Sequence, residues 1–250
     1  MLLSGIVVPC YNEAKRIDQA AMIKHAKHGS MLLLVDDGSS DDTAQIIRDL
    51  SQNSQIECLV LDQNKGKAEA VRQGMLHLYN HYPEIEYLGF ADADLATPLA
   101  GMEDLLIDMK CDKSLLMVLG SRWKHLGARI ERNEKRHYMG RIFATLISNL
   151  FKLPIYDSQC GAKWFDRKVI NVLFGSPFVS RWFFDVELLV RLGKAYPETL
   201  PAREIPLDVG TEVDDSRINW TDMLKAPLEL MRIRKYYRNW STEEISANNS

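Results

Sequence analysis

The first 122 residues alternate between two periodicities. Short runs rich in Val, Ile and Leu at 4–10 (SGIVVPC), 31–37 (MLLLVDD), 56–62 (IECLVLD), 86–92 (EYLGFAD) and 115–121 (LLMVLGS) predict strands. Between them, 18–28, 41–51, 67–80 and 98–110 carry helix-like spacing. Short apolar strands alternating with amphipathic helices predict an α/β fold with a mostly parallel central sheet flanked by helices. Beyond residue 122 the alternation stops. A charged connection (126–136) leads to a helix over 137–153, a loop with a short strand over 157–167 and a helix over 181–194. A late strand over 203–210 and a last helix over 218–240 follow, with Pro227 placed to kink that helix. There is no internal repeat and no low-complexity linker. The reading is one domain over 1–240, made of a regular half (1–122) and an elaborated C-terminal half (123–240). The polar tail 241–250 is expected to be disordered.

Composition narrows the classes. With 250 residues, 46% hydrophobic and 26% charged, the chain reads as a folded protein that needs no disulfide staples. A net charge of −3 leaves no electrostatic footprint for nucleic acid. Cys10, Cys58, Cys111 and Cys160 lie far apart with no C-x-x-C pair, which suggests neither a zinc site nor a disulfide framework. The apolar N-terminus lacks a basic stretch and meets Pro9 early, so it reads as a first strand rather than a signal peptide. No run approaches the ~18 apolar residues of a membrane span. The expectation is a cytoplasmic protein, soluble or peripheral at a membrane surface.

Polar residues gather where the strands end: Asn12-Glu13, Asp36-Asp37, Asn64, Asp92 with Asp94, and Ser121-Arg122. In open α/β sheets that edge carries the ligand crevice. Asp92 and Asp94, in FADADLATP, would repel each other unless a cation or donors lay between them. Mg²⁺ or Mn²⁺ suits such oxygen ligands and completes its shell with water and substrate phosphates. The alternative has Asp92 end a strand and Asp94 cap a turn, with Thr97-Pro98 starting a helix as N-cap and N1. Asp36 and Asp37 are not needed as caps, because Asp41 or Asp42 can cap the next helix. They are therefore placed to accept bonds from a base or ribose. Tyr11 offers stacking and Glu13 a ribose contact. Gly66 and Lys67 at a helix start favour a phosphate, although the spacing is not that of a P-loop. Asp185 reads either as a site carboxylate or as a helix N-terminal one.

The ordered set P-x-Y-N-E, V-D-D-G-S-x-D-x-T, N-x-G-K-x-x-A-V-R-x-G-M, A-D-A-D-L-x-T-P and G-S-R resembles family 2 glycosyltransferases of the GT-A fold. The later DSQCGAKWF (157–165) and RWFFDVELL (181–189) are similar to the dolichyl-phosphate β-glucosyltransferase branch and its polyprenyl-phosphate relatives. The resemblance spans residues 4–238 and divides the chain into a nucleotide-sugar half (1–122) and an acceptor half (123–240). It implies that Pro9, Tyr11 and Glu13 line the nucleotide pocket. Asp37 contacts base or ribose with Asp36 close by, and Gly66, Lys67, Asp92 and Ala93 complete the nucleotide-sugar set. Asp92 and Asp94 are the metal pair, with Asp94 favoured as the direct ligand. Arg122, Arg136 and Arg141 meet phosphates of donor or acceptor. Asp157, Gln159 and Gly161 form an acceptor-side loop, and Asp185 and Glu187 belong to the helix motif beside it. Position 96 is alanine where dolichyl-phosphate mannose synthases carry glutamine, and no membrane anchor is expected ahead of the first strand.

The implied reaction is metal-dependent, inverting transfer of a sugar, glucose from UDP-glucose as the best match, to a polyprenyl or dolichyl phosphate. Its catalytic set is Asp94, Arg122, Arg141, Asp157 and Asp185. A phosphate monoester, with a second pKa of about 6, is already largely dianionic at neutral pH and needs cations more than a base. A glycan hydroxyl acceptor would need a general base, for which Asp157 and Asp185 are the candidates. A non-catalytic nucleotide-sugar-binding protein is the third reading. Residues 217–238 carry a net charge of +4 interleaved with Trp220, Tyr236 and Tyr237, with Trp240 just beyond. That pattern suits a membrane interface or, equally, a core-packed helix with a solvated basic face.

Overall fold

The structure, a computed structural model, describes residues 3–27, 29–123, 129–130, 134–210 and 220–240, with backbone alone at 129–130, 134–139, 209–210 and 220–225. The tail 241–250 and the side chains of Arg217, Trp220, Asp222 and Lys225 lie outside the described residues.

The regular half forms β1 (Ser4–Cys10), α1 (Gln19–Ala26), β2 (Met31–Asp36), α2 (Thr43–Leu50), β3 (Ile56–Val60), α3 (Lys67–His81), β4 (Tyr87–Phe90), α4 (Leu99–Cys111) and β5 (Met117–Ser121). The second half adds β6 (Arg129–Ile130), α5 (Glu134–Phe151) and β7 (Lys163–Asp166). A 3₁₀ turn (Arg167–Val169), α6 (Ile170–Phe174), α7 (Phe184–Ala195), β8 (Ala202–Pro206), β9 (Val209–Gly210) and α8 (Trp220–Tyr237) complete it.

Seven strands make one sheet in the order β3-β2-β1-β4-β7-β5-β8, and β6 pairs β9 separately. Strands β1 to β4 run parallel, β5 pairs β8 in parallel, and β7 runs antiparallel between β4 and β5. The alternating side chains of β1 and β2 fill two core layers. Val7, Leu33 and Val35 pack under α3, α6, α7 and α8, while Ile6, Val8, Leu32 and Leu34 pack under α1, α2 and α4. Burial on both faces is why these strands read as continuous apolar runs. Pro9 sits beyond Val7, the last β1 residue paired with β4, so its missing N–H leaves no gap in that ladder.

Three expectations change in detail. Helix α4 starts at Leu99 with Pro98 as its N-cap, and Thr97 is buried rather than capping. Helix α8 continues through Pro227. The 3₁₀ turn, α6, and the β6–β9 pair were not legible. No helix among the described residues is long and apolar enough to cross a membrane.

Candidate active site

The loops at the carboxyl ends of β1, β2, β3 and β4 are tied to one another by side-chain-to-backbone bonds. Asn12 Oδ1 accepts the Ser40 N–H at 2.9 Å, and Thr43 Oγ1 accepts the Glu13 N–H at 2.8 Å. Asp36 accepts the Ser39 N–H at 3.2 Å. Asp37 engages the Lys65 and Gly66 N–H groups, each at 2.8 Å. Burial raises the Asp37 carboxyl above its usual range, with the two N–H bonds opposing the shift. Asp36 and Asp37 are 1% and 2% exposed, so they brace these loops from within. Glu13 is likewise turned inward, paired with Arg16 at 2.6 Å.

Gly66, at φ +93°, caps α3 and lets the chain turn so that Lys67 projects toward β4. Lys67 Nζ lies 2.5 Å from Asp92 Oδ1. Their side chains keep 40% and 29% exposure at the floor of the cleft, while Asp92 Oδ1 itself is shut off from solvent. Burial alone would lower Lys67 and raise Asp92. Their mutual attraction reverses both, with Asp185 and Asp94 adding to Lys67 and Arg122 and Lys163 adding to Asp92. Asp94 gives Oδ1 to the Ala96 N–H at 3.0 Å, in a turn that holds Leu95 at φ +50°. The capping alternative is thus realised by one oxygen, while the other has no partner among the described residues. Ala93 is buried in the core, which leaves only its backbone to face a ligand.

A divalent cation fits this donor set. Asp92 and Asp94, just beyond β4, would supply carboxylate oxygens, and hard cations bound with substrate phosphates take only one or two protein carboxylates. No group of three or more potential ligands occurs among the described residues, so water or substrate would fill the remaining positions.

The loop over 157–161 carries the next set of contacts. Arg122 grips Asp157 in a fork, Nε to Oδ2 at 2.8 Å and Nη2 to Oδ1 at 2.9 Å, and Nη2 also donates to the Gln159 carbonyl at 3.1 Å. Burial works against the Arg122 charge, but Asp157 more than offsets it. Glu204 of β8 holds the loop by accepting the Tyr156 and Asp157 N–H groups at 2.8 and 2.6 Å. Gln159 Nε2 is buried with no hydrogen-bond partner among the described residues. Arg141 lies 5.2 Å over the Trp123 ring, and a cavity of about 30 Å³ opens between Arg122, Arg141, Tyr156 and Asp157. The Arg136 side chain lies outside the described residues.

Gly161 joins the two sides. A Cβ there would fall 2.1 Å from Asp92 Oδ2, so the loop backbone is pressed against the carboxylate. Gly161→Ala should therefore displace Asp92 and weaken metal-assisted donor binding at least tenfold, at a stability cost of about 1–3 kcal/mol. Calorimetry with donor and Mn²⁺ checks the first and thermal unfolding the second.

Asp185 is 4% exposed in the first turn of α7 and pairs with Lys163 at 2.7 Å. Burial raises its carboxyl despite Lys163 and Lys67 nearby. Lys163, fully buried, also donates to the Cys160 carbonyl and sits 5.3 Å over the Phe90 ring. Glu187 does not reach the acceptor side. It is 0% exposed and accepts from the Val179 and Ser180 N–H groups and the Tyr237 hydroxyl at 2.7–2.9 Å, tying α7 to α8. Two cations were not singled out from the sequence: Lys163, and Arg181, whose stem packs over Gly66. Both had a signal, because they lie in the DSQCGAKWF and RWFFDVELL motifs.

Residues 5–174 match glycosyl transferase family 2. The chain belongs to that family. A dolichyl-phosphate beta-glucosyltransferase of Trichomonas vaginalis is 33% identical over 93% of this chain and 71% of its own length. The protein of that name from Saccharomyces cerevisiae is 33% identical over 93% and 74%, and the one from Homo sapiens 30% identical over 96% and 78%. This family 2 glycosyltransferase is thus dolichyl-phosphate beta-glucosyltransferase-like. The glucosyl-3-phosphoglycerate synthase of Mycobacterium tuberculosis, solved with Mn²⁺, UDP-glucose and phosphoglyceric acid, superposes with a TM-score of 0.67 at 16% identity. The superposition covers 94% of this chain and 80% of that one, and the fold is GT-A.

Proposed function

We propose that the chain is a metal-dependent inverting hexosyltransferase that moves glucose from UDP-glucose to a polyprenyl or dolichyl phosphate at the cytoplasmic face of a membrane. One transfer unit spans 1–240, with donor groups from 1–122 and acceptor groups from 123–240. The observation that supports this reading is the close approach of Gly161 to Asp92, which sets the loop over 157–161 beside the D-x-D carboxylate. The names of the relatives supply the sugar and the lipid phosphate, and the Mycobacterium structure supplies Mn²⁺ with UDP-glucose.

Mg²⁺ or Mn²⁺ held by Asp92 and Asp94 would offset the charge growing on the departing diphosphate. Lys67 and Arg181 add cations on the α3 side of the cleft. Pro9 and Tyr11 border the nucleotide, over the platform built by Asp36 and Asp37. Arg122 and Arg141 bind the acceptor phosphate, and the unpartnered Gln159 Nε2 donates to one of its oxygens. The acceptor oxygen attacks the anomeric carbon from the face opposite the leaving group and inverts it. A dianionic phosphate needs no base, which matches the geometry: Asp157 is forked by Arg122 and Asp185 is buried against Lys163.

A transfer assay with labelled UDP- and GDP-sugars, polyprenyl phosphate and either cation tests this. Labelled lipid from UDP-glucose, abolished by a chelator and restored by Mn²⁺ or Mg²⁺, is the expected result. Label only in a water-soluble glycan, or donor binding without turnover, would overturn it.

A further inference from the structure

Helix α8 packs one face on the core and leaves the other exposed. Ala226, Leu230, Ile233, Tyr237 and Trp240 are buried, so one face packs on the core. The outward face carries Leu228, Met231 and Tyr236 at 70%, 63% and 51% exposure. Arg232, Arg234, Lys235 and Arg238 are interleaved with them. The described carboxylate on this helix, Glu229, accepts from Ser180 Oγ at 2.6 Å and so turns inward.

That face borders a groove of about 910 Å³ between the C-terminal ends of α5, α7 and α8. Phe151, Leu189, Leu200 and Met231 give it an apolar lining. Lys152, Lys194, Arg234, Lys235 and Arg238 supply five cations, and no described carboxylate lines it. The groove is not the catalytic cleft. Asp185 stands in the first turn of α7 while Gly193 and Lys194 of its last turn line the groove, roughly 13 Å away along the helix.

We infer that this groove and the outward face of α8 dock on the surface of a bilayer carrying anionic phospholipid headgroups. Apolar side chains flanked by Lys and Arg match the boundary between acyl chains and negative headgroups. A soluble anion would need the cations without the exposed Leu228 and Met231. An apolar peptide would need those residues without five cations that no described lining carboxylate offsets. The role rests on the proposed lipid acceptor, because docking holds the enzyme at the membrane in which a polyprenyl phosphate resides.

The test uses the full chain and co-sedimentation with vesicles of phosphatidylcholine alone or with 30% phosphatidylglycerol. Binding to the anionic vesicles only, weakened by salt, is expected. A variant combining Arg234→Gln, Lys235→Gln and Arg238→Gln should bind them about a hundredfold more weakly, at near fivefold per charge. The same variant should keep its unfolding temperature and its rate on a short, water-soluble prenyl phosphate. It should lose rate on long-chain acceptor in vesicles. A Leu228→Ala, Met231→Ala variant should also bind more weakly, which bare charge attraction would not require. Equal binding to both vesicles, or undiminished binding by the triple variant, would overturn the inference. So would self-association that the triple variant abolishes without any vesicle binding. Co-sedimentation needs neither donor nor acceptor. Vesicle binding without lipid transfer would therefore sink the proposed reaction, and transfer to the short acceptor without vesicle binding would sink only the docking.

Discussion

Asp94→Asn should lower turnover at least a hundredfold at saturating donor while leaving the fold intact. The substitution keeps an oxygen for the Ala96 N–H, so the turn that holds Leu95 at φ +50° persists. What it removes is the charge on the oxygen that has no other described partner. A loss of that size corresponds to about 2.7 kcal/mol or more of barrier, the range seen when one preorganised electrostatic group is deleted. Steady-state rates across a Mn²⁺ series, together with thermal unfolding, measure both halves. Full turnover in this variant would remove the metal pair from the mechanism. A collapse in stability with proportionate loss of rate would make Asp94 a turn residue and no more.

Lys163→Met should be the most destabilising single change near the cleft. Lys163 is fully buried and Asp185 is 4% exposed, so removing the cation strands a carboxylate in a place that water barely reaches. Breaking such a pair from one side costs about 3–5 kcal/mol, a large share of the 5–15 kcal/mol that holds a typical domain together. Burial already raises the Asp185 carboxyl, and Lys163 heads the charges opposing that rise. Without the lysine the carboxyl rises further. The folded variant then binds a proton that the unfolded chain has released, so its stability falls as pH rises above the ordinary carboxylate range. On acidification the deficit against the wild type shrinks. Urea unfolding at pH 5 and pH 8 tests the sign. Adding Asp185→Leu should recover most of the stability, because an apolar pair of similar volume tolerates that position better than a lone charge. It should not recover transfer, because the charge facing Lys67 and Asp92 is gone. A loss below about 1 kcal/mol in the single variant, or transfer restored in the double, would refute this account.

The two substitutions also mark how far the sequence could be read. The strands of the first half were legible because β1 and β2 are covered on both faces, which leaves runs such as GIVV and MLLLV with no polar break. The position of Asp92 and Asp94 just beyond a strand was legible because a D-x-D after an apolar run is a local pattern. Lys163, Glu187 and Asp37 were not, because their partners are distant in the chain. The lysine's carboxylate lies in α7, the glutamate meets Tyr237 of α8, and Asp37 reaches across to Lys65 and Gly66. A charged residue shows its type in a sequence but not whether another segment will bury and pair it. Helix α6 was missed for a different reason. Five residues, INVLF, are too few to show a helical period.

The antiparallel β7 has a consequence for biosynthesis. Strands β4 and β5 do not touch each other, and only residues 163–166 bridge them. A nascent chain that has emerged through residue 122 therefore holds three raw strand edges, one on β4 and both on β5, that nothing upstream can seal. Truncation at that point should yield an aggregating fragment in place of a separable folded unit, and the ribosome must deliver about four-fifths of the protein, through β8, before the sheet is complete.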